Sequence, residues 1–287
     1  MIRRFSLLAW MMLAGCACQA FGDSCTITST APIVFGSYTG AAIRVTGTVT
    51  FQCSQGSAFS IGLSAGTTSG ATVANRRMSG AGTTLGYSLF SDASYFTNWG
   101  NTGGTGLVSG TATGASQTVT VYAQLPAGQN SPAGSFADTV TATISGNFPS
   151  SSMQLSISAT VVKACTVSAS SLNFGNYMGS PLNSVATITA TCTNGTAYQI
   201  GLDAGTAPGA TVAHRSMMGP SSALLNYNLY SDSSRSINWG NTLGTDTVAG
   251  TGSGNAQALT VYGQIPSGQT TVVAGNYSDT VTVTLTY

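Results

Sequence analysis

The sequence predicts an all-β protein built as two tandem β-sandwich domains. Three observations carry that expectation. The segment that begins at Cys25 recurs at Cys165, and most of the sequence downstream of it recurs as well. Each copy is a string of short segments in which apolar and polar residues alternate, divided by turns rich in Gly, Ser and Asn, as half-buried strands require. Four cysteines are distributed as one pair per copy, Cys25 with Cys53 and Cys165 with Cys192, 28 and 27 positions apart.

The chain opens with a stretch that reads as a secretory leader. Arg3 and Arg4 precede the apolar run "FSLLAWMMLA" at 5–14, and small residues offer cleavage after Ala20 or Gly22. The run is shorter than a membrane-spanning helix needs. "LAGC" at 13–16 also fits a lipoprotein signal with a lipid on Cys16, so both processing routes stay open. Cys16 and Cys18 fall within this leader. In an exported chain the remaining pairs read as two disulfides, one per domain. Each closes a loop worth roughly 3–4 kcal/mol.

The repeated segments then run in order. "CTITSTAPIVFGSY" is answered by "CTVSASSLNFGNY", and "FSIGLSAGTTSGATVANR" by "YQIGLDAGTAPGATVAHR". "YSLFSDASYFTNWGNT" is answered by "YNLYSDSSRSINWGNT", "VTVYAQLPAGQ" by "LTVYGQIPSGQ", and "GSFADTVTATI" by "GNYSDTVTVTL". In the second copy the expected strands are 185–191, 198–202, 225–230, 258–264 and 280–287. The expected boundaries are a signal peptide at 1–22, a first domain at 23–163 and a second at 164–287.

The copies differ at their ends. After "ADTVTATI" the first continues into a further alternating strand, with Met153, Leu155, Ile157, Ala159 and Val161 on one face. The second reaches Val281, Val283, Leu285 and Tyr287 with no matching continuation in the sequence. The first domain is therefore expected to be complete and the second one strand short. A sandwich short of a strand exposes apolar side chains and unpaired backbone groups. Either the threonines of 280–286 shield that edge, or another chain supplies the strand by β-augmentation.

Composition narrows the function. The 287 residues include 36 Gly and only 5% charged residues, against roughly 25% in an ordinary soluble domain. A net charge of +1 without clustered Lys and Arg argues against a nucleic-acid partner. Catalysis is a poor reading. His214 is the single histidine and the first copy has Asn75 in its place, while Asp92, Asp138, Asp232 and Asp279 stand at matching positions that read as turn formers. The spacing also offers no metal site and implies no cofactor.

The early cysteine pair, "YNLYSD", "WGNT", "TVYGQIP" and the terminal "GNYSDTVTVTLTY" together resemble the spore coat protein U domain, over about residues 25–287. The resemblance implies immunoglobulin-like pilin domains of archaic, Csu-type chaperone–usher pili. It implies a periplasmic pilus chaperone, an outer-membrane usher and the N-terminal donor strand of the next pilin subunit as partners, with Val281, Val283, Leu285 and Tyr287 lining the donor-strand and chaperone groove. Only Phe21 to Ser24 separate the expected cleavage site from Cys25, a span of at most about 14 Å, so the chain reads as an acceptor and not a donor. That implies a two-domain tip adhesin, carried through the periplasm to the cell surface, that attaches to a host or abiotic surface and supports biofilm formation. Candidate adhesive residues are Tyr95 and Phe96, which stand where the second copy has Arg235 and Ser236, and Phe148. Trp99, Trp239, Arg76 and Arg215 recur in both copies and read as structural. A secreted spore-coat or extracellular-matrix protein, and a lipid-anchored surface binding protein, are the alternatives.

Overall fold

A computed structural model describes residues 22–101 and 106–287. The leader reading, with Arg3, Arg4, Cys16, Cys18 and cleavage near Ala20, lies outside the described residues. Alternation of apolar and polar residues sets the first ten strands. These are β1 (Cys25–Ala31), β2 (Ile33–Tyr38), β3 (Ile43–Cys53), β4 (Ala58–Leu63), β5 (Arg76–Gly80), β6 (Thr83–Phe90), β7 (Val108–Thr111), β8 (Gln117–Leu125), β9 (Gly134–Gly146) and β10 (Phe148–Val161). One layer runs β1-β3-β8-β6-β5 and the other β7-β4-β9-β10-β2, joined at a corner where Ser79 of β5 pairs with Ala137 of β9. The inward side chains of both layers form one core that includes Ile33, Phe51, Leu85, Trp99, Phe136 and Leu155.

The second domain repeats the plan with its own core. Its strands are β11 (Cys165–Ala169), β12 (Leu182–Cys192), β13 (Ala197–Leu202), β14 (Arg215–Met218), β15 (Leu224–Tyr230), β16 (Val248–Thr251), β17 (Ala256–Ile265) and β18 (Val283–Thr286). One layer is β11-β12-β17-β15-β14 and the other β16-β13-β18. The corner recurs as a bridge between Met218 and Ser278. Disulfides tie β1 to β3 through Cys25 and Cys53, and β11 to β12 through Cys165 and Cys192.

The expected strand over 280–287 is shorter than the sequence pattern suggests. Only Val283–Thr286 forms a ladder, with β13, whereas the matching β9 runs unbroken for 13 residues. β9 is paired along nearly its whole length by β10, and no described residue pairs with the outer side of 279–286. Half a ladder holds fewer residues extended, although the alternation of side chains is the same.

Each domain is pinned by a buried arginine. In the first, Arg76 Nε donates to Ser64 O at 2.8 Å, Nη1 to Val73 O at 3.1 Å, and Nη2 to Leu63 O and Trp99 O at 2.8 and 2.7 Å. Arg215 repeats this with Asp203, Val212, Leu202 and Trp239. Burial pushes Arg76 down to about 10, opposed by Tyr87 and the Asp138 carboxylate nearby.

Asp138 and Asp279 are corrected from their reading as turn formers. Asp138 is buried within β9, where its Oδ2 accepts from the Tyr87 hydroxyl at 2.6 Å and its Oδ1 from the Thr67 amide and hydroxyl. Asp279 makes the same bonds with Tyr227 and Thr206. Gly66 and Gly205 sit at φ +96 and +81, and a β-carbon at either would strike that carboxylate.

Candidate functional site

The candidate site is where the two domains part. In the first, β10 lies between β9 and β2. It runs antiparallel to β9, with Leu155 opposite Val140 and Met153 opposite Ala142, and parallel to β2, with Ile157 opposite Ile33 and Val161 opposite Tyr38. Leu155, Ile157, Ala159 and Val161 are buried and Met153 packs at the margin. Both flanking walls are sealed: Val140, Ala142 and Ile144 on one side, and Ile33, Phe35 and Tyr38 on the other, are all buried.

The same walls stand in the second domain with nothing between them among the described residues. Val281, Val283 and Leu285 correspond to Val140, Ala142 and Ile144. Each is only half-buried, and Tyr287 is 57% exposed. Leu172, Phe174 and Tyr177 correspond to Ile33, Phe35 and Tyr38, and these too are half-buried. Residues 171–178 form no strand, because their counterpart β2 takes its ladder from β10.

The opposite wall is nonetheless held in place. The Phe174 ring packs edge-on against Tyr227 at 6.0 Å, as Phe35 packs against Tyr87 at 6.3 Å. The Tyr177 hydroxyl donates to Pro266 O at 2.9 Å. A β-carbon on Gly263 would come within 2.8 Å of the Leu172 side chain, so this wall lies close against β17. The result is a preformed apolar cleft edged by unpaired backbone, suited to an extended segment with alternating apolar side chains.

The three adhesive candidates separate in space. Tyr95, at φ +59, turns back onto its own domain: its ring meets Phe90 at 5.6 Å and Tyr122 at 5.9 Å, with the Arg44 guanidinium 4.2 Å above it. Arg235 takes the same place in the second domain, 5.7 Å from Tyr262. Phe96 projects outward, 87% exposed. Phe148 lies half-buried against the core, at the end of β10 opposite the second domain.

The turn that presents Phe96 is built on Asp92, which accepts from the amides of Ser94, Phe96 and Thr97. The Ser94 hydroxyl and then the Thr97 amide draw its carboxyl down to about 2. A lowered carboxylate supports the fold above its ordinary value of 3.8 and loses that support as pH falls through about 2. Amide exchange at Thr97 is therefore expected to accelerate over that window in the native chain. In Asp92→Ala it is expected to be fast, with no such step.

Among the described residues no group of three His, Cys, Asp or Glu gathers to hold a metal ion. His214 is exposed, in a bridge with Thr211.

Residues 15–143 and 151–284 each match the model of the Spore Coat Protein U domain. The chain belongs to the Spore Coat Protein U domain family. The second family unit begins at residue 151, inside β10, although β10 packs in the first domain.

A relative, Protein U of Myxococcus xanthus, is 40% identical over 119 residues, which is 39% of this chain and 66% of that protein, just under two thirds of its length. Among solved structures, the chaperone–tip adhesion subunit pre-assembly complex from the archaic chaperone–usher Csu pili of Acinetobacter baumannii aligns at a TM-score of 0.53 with 17% identity, covering 92% of this chain and 100% of the matched chain. The CupB6 tip adhesin from Pseudomonas aeruginosa aligns at a TM-score of 0.37 with 14% identity, over 92% of this chain and 94% of that one.

Proposed function

We propose that this protein is a tip subunit of a chaperone–usher pilus. Its second domain, 164–287, is the pilin-type unit, and accepts a strand from the next subunit. Its first domain, 23–163, completed by β10, is the adhesin-type unit and meets the target surface. One observation carries the reading: Val281, Val283 and Leu285 stand half-exposed where Val140, Ala142 and Ile144 are sealed by a strand. The likeness to a structure described as a chaperone–tip adhesion subunit complex supports it. On this reading a periplasmic chaperone covers the cleft during export, an outer-membrane usher passes the subunit to the cell surface, and attachment there supports biofilm formation.

The test uses the full chain and a labelled peptide with the sequence of 148–161. Saturable binding is expected, and Leu285→Asp, which puts a charge in the cleft, is expected to abolish it. No binding by the native chain would remove the strand-acceptor role. Adhesion is tested separately through Phe96→Ser. Its side chain touches little, so folding is expected to be unchanged while surface attachment falls; unchanged attachment by normally assembled pili would exclude Phe96. Tyr95 is a support for that turn in this reading, and Phe148 a second contact at the far end of the domain.

The likeness to Protein U favours a second reading, a secreted coat or matrix protein. Chaperone and usher genes beside this one support the pilus. Their absence, with the chain recovered from a coat, supports the matrix.

A further inference from the structure

The turn that carries Tyr95 and Phe96 packs on the outer face of the layer β1-β3-β8-β6-β5, and on that face the two domains differ again. Alternate residues of β3 point outward there. Arg44, Thr46 and Thr48 stand opposite Gln124, Tyr122 and Thr120 of β8. The second domain has Asn183, Val185 and Thr187 opposite Gln264, Tyr262 and Thr260.

In the second domain the polar groups of this face satisfy one another. Gln264 Nε2 donates to Asn183 Oδ1 at 3.0 Å. Arg235, over the Tyr262 ring, donates from Nε to Gly263 O at 3.3 Å and from Nη1 to Ser233 O at 3.2 Å. Val185, opposite Tyr262, is 56% exposed and apolar. In the first domain the corresponding groups are free. Arg44 is exposed and stacks on Tyr95, yet none of its N–H groups meets an acceptor among the described residues, and no carboxylate there pairs with it. Gln124, opposite Arg44, has no side-chain hydrogen bond there either. Asp92, the carboxylate of the same turn, accepts from Ser94, Phe96 and Thr97 instead. An aromatic ring therefore holds a guanidinium whose donors are unengaged. From it the hydroxyls of Thr46 and Thr48 continue along β3, spaced about 6.7 Å apart.

We propose that this face binds a carboxylate-bearing polysaccharide. Arg44 takes the carboxylate through two parallel hydrogen bonds, which the planar fork of a guanidinium matches. Gln124 and the threonine hydroxyls take the hydroxyls of the sugar. A single cation balances a single charge, whereas a nucleic acid calls for clustered cations. Arg77, on β5, has two strands between it and β3, so it forms no cluster with Arg44. Phe96 follows Tyr95 in the turn, and its 87% exposed ring offers a surface for the carbon face of a sugar. Tyr95 is a positioning residue, acting through Arg44. The inference names the target class of the adhesin-type unit and rests on that reading for its setting, although the site itself lies within one domain.

The test titrates the full chain with polygalacturonate, and with the same polymer methyl-esterified, which keeps the sugar backbone and removes the charge. Saturable binding of the acidic polymer is expected, with binding of the ester weaker by roughly tenfold or more, the scale of a lost charge-assisted bond. Arg44→Gln is expected to weaken binding of the acidic polymer by a similar factor, and Arg44→Lys to recover only part of it. Tyr95→Ser should weaken binding while Tyr95→Phe, which keeps the ring beneath Arg44, retains it. Arg235→Gln breaks the matching stack in the second domain and two backbone bonds besides, and is expected to leave binding unchanged. No binding by the native chain, equal binding of the ester, or unchanged binding by Arg44→Gln overturns the site and leaves the adhesin-type reading standing. Polymer binding that depends on Arg44, in pili that attach to no surface, keeps the site and overturns the adhesin-type reading.

Discussion

A chain extended after Tyr287 by residues 147–162 alone is expected to melt its second domain at a clearly higher temperature than the native chain. The added segment follows Tyr287 as it follows Gly146 in the first domain, so it can fold back into the cleft in the register of β10. It brings a leucine, an isoleucine and a valine that are nearly fully buried in their native setting. It also finishes the burial of Val281, Val283, Leu285, Leu172 and Phe174, which are already half-packed. Full burial of one such side chain is worth roughly 1.5–3 kcal/mol. The extended segment forfeits conformational entropy, which takes back much of that gain. A net stabilisation of about 3 kcal/mol is expected, which is on the order of 10 °C in the midpoint of a domain this large.

Calorimetry resolves the result, since only the second domain's transition should move. Residues 171–178 should also become strand, detectable as newly protected amides. A control extension with the leucine equivalent to Leu155 replaced by Asp should give neither effect. An unchanged second transition in the extended chain would mean that the cleft is a finished edge, shielded by Thr280, Thr282, Thr284 and Thr286, and that no strand belongs there.

Much of the fold was legible in the residues, and the parts that were not have physical causes. Two sandwiches, one completed by 151–161 and one with no counterpart of that segment among the described residues, emerge from comparing the copies, because duplication makes any difference visible. The alternation at 280–287 could not show how little of it pairs, since alternation records which side chains face inward and not whether a neighbour is there to hold the backbone. β2 is a strand and 171–178 is not, although "IVFGSY" and "LNFGNY" read alike, for the same reason. Asp138 precedes Thr139 in a way that suggests a turn, and its burial became plain only when Tyr87 and Thr67, far away in sequence, were found bonded to it. The pairing of Tyr95 with Arg235 in the two copies signalled a difference between the domains. It could not show that a tyrosine ring and a guanidinium both fold back onto the tyrosine of the neighbouring strand.

Arg76→Met is expected to unfold the first domain while the second still melts as in the native chain. Methionine nearly fills the space but donates no hydrogen bond, so the carbonyls of Ser64, Val73, Leu63 and Trp99 lose their partner together. An orphaned buried polar group costs about 1–3 kcal/mol, so four of them cost on the order of 4 kcal/mol or more. A domain is stable by only about 5–15 kcal/mol in total. Replacing a buried charge by an apolar residue is often harmless when its partners leave with it. Here the partners are backbone and stay. Arg76→Lys should recover only part of the loss, because one ammonium cannot span four carbonyls reached from three nitrogens. The test is calorimetry beside peptide capture: the first transition is expected to disappear or fall far below its native midpoint, with surface attachment lost, while the second domain still binds the 148–161 peptide. A first transition within a few degrees of native would show that the arginine is a passenger in this core. Loss of peptide capture along with it would show that the two sandwiches fold as one unit, and that the acceptor cleft depends on the domain that β10 has already completed.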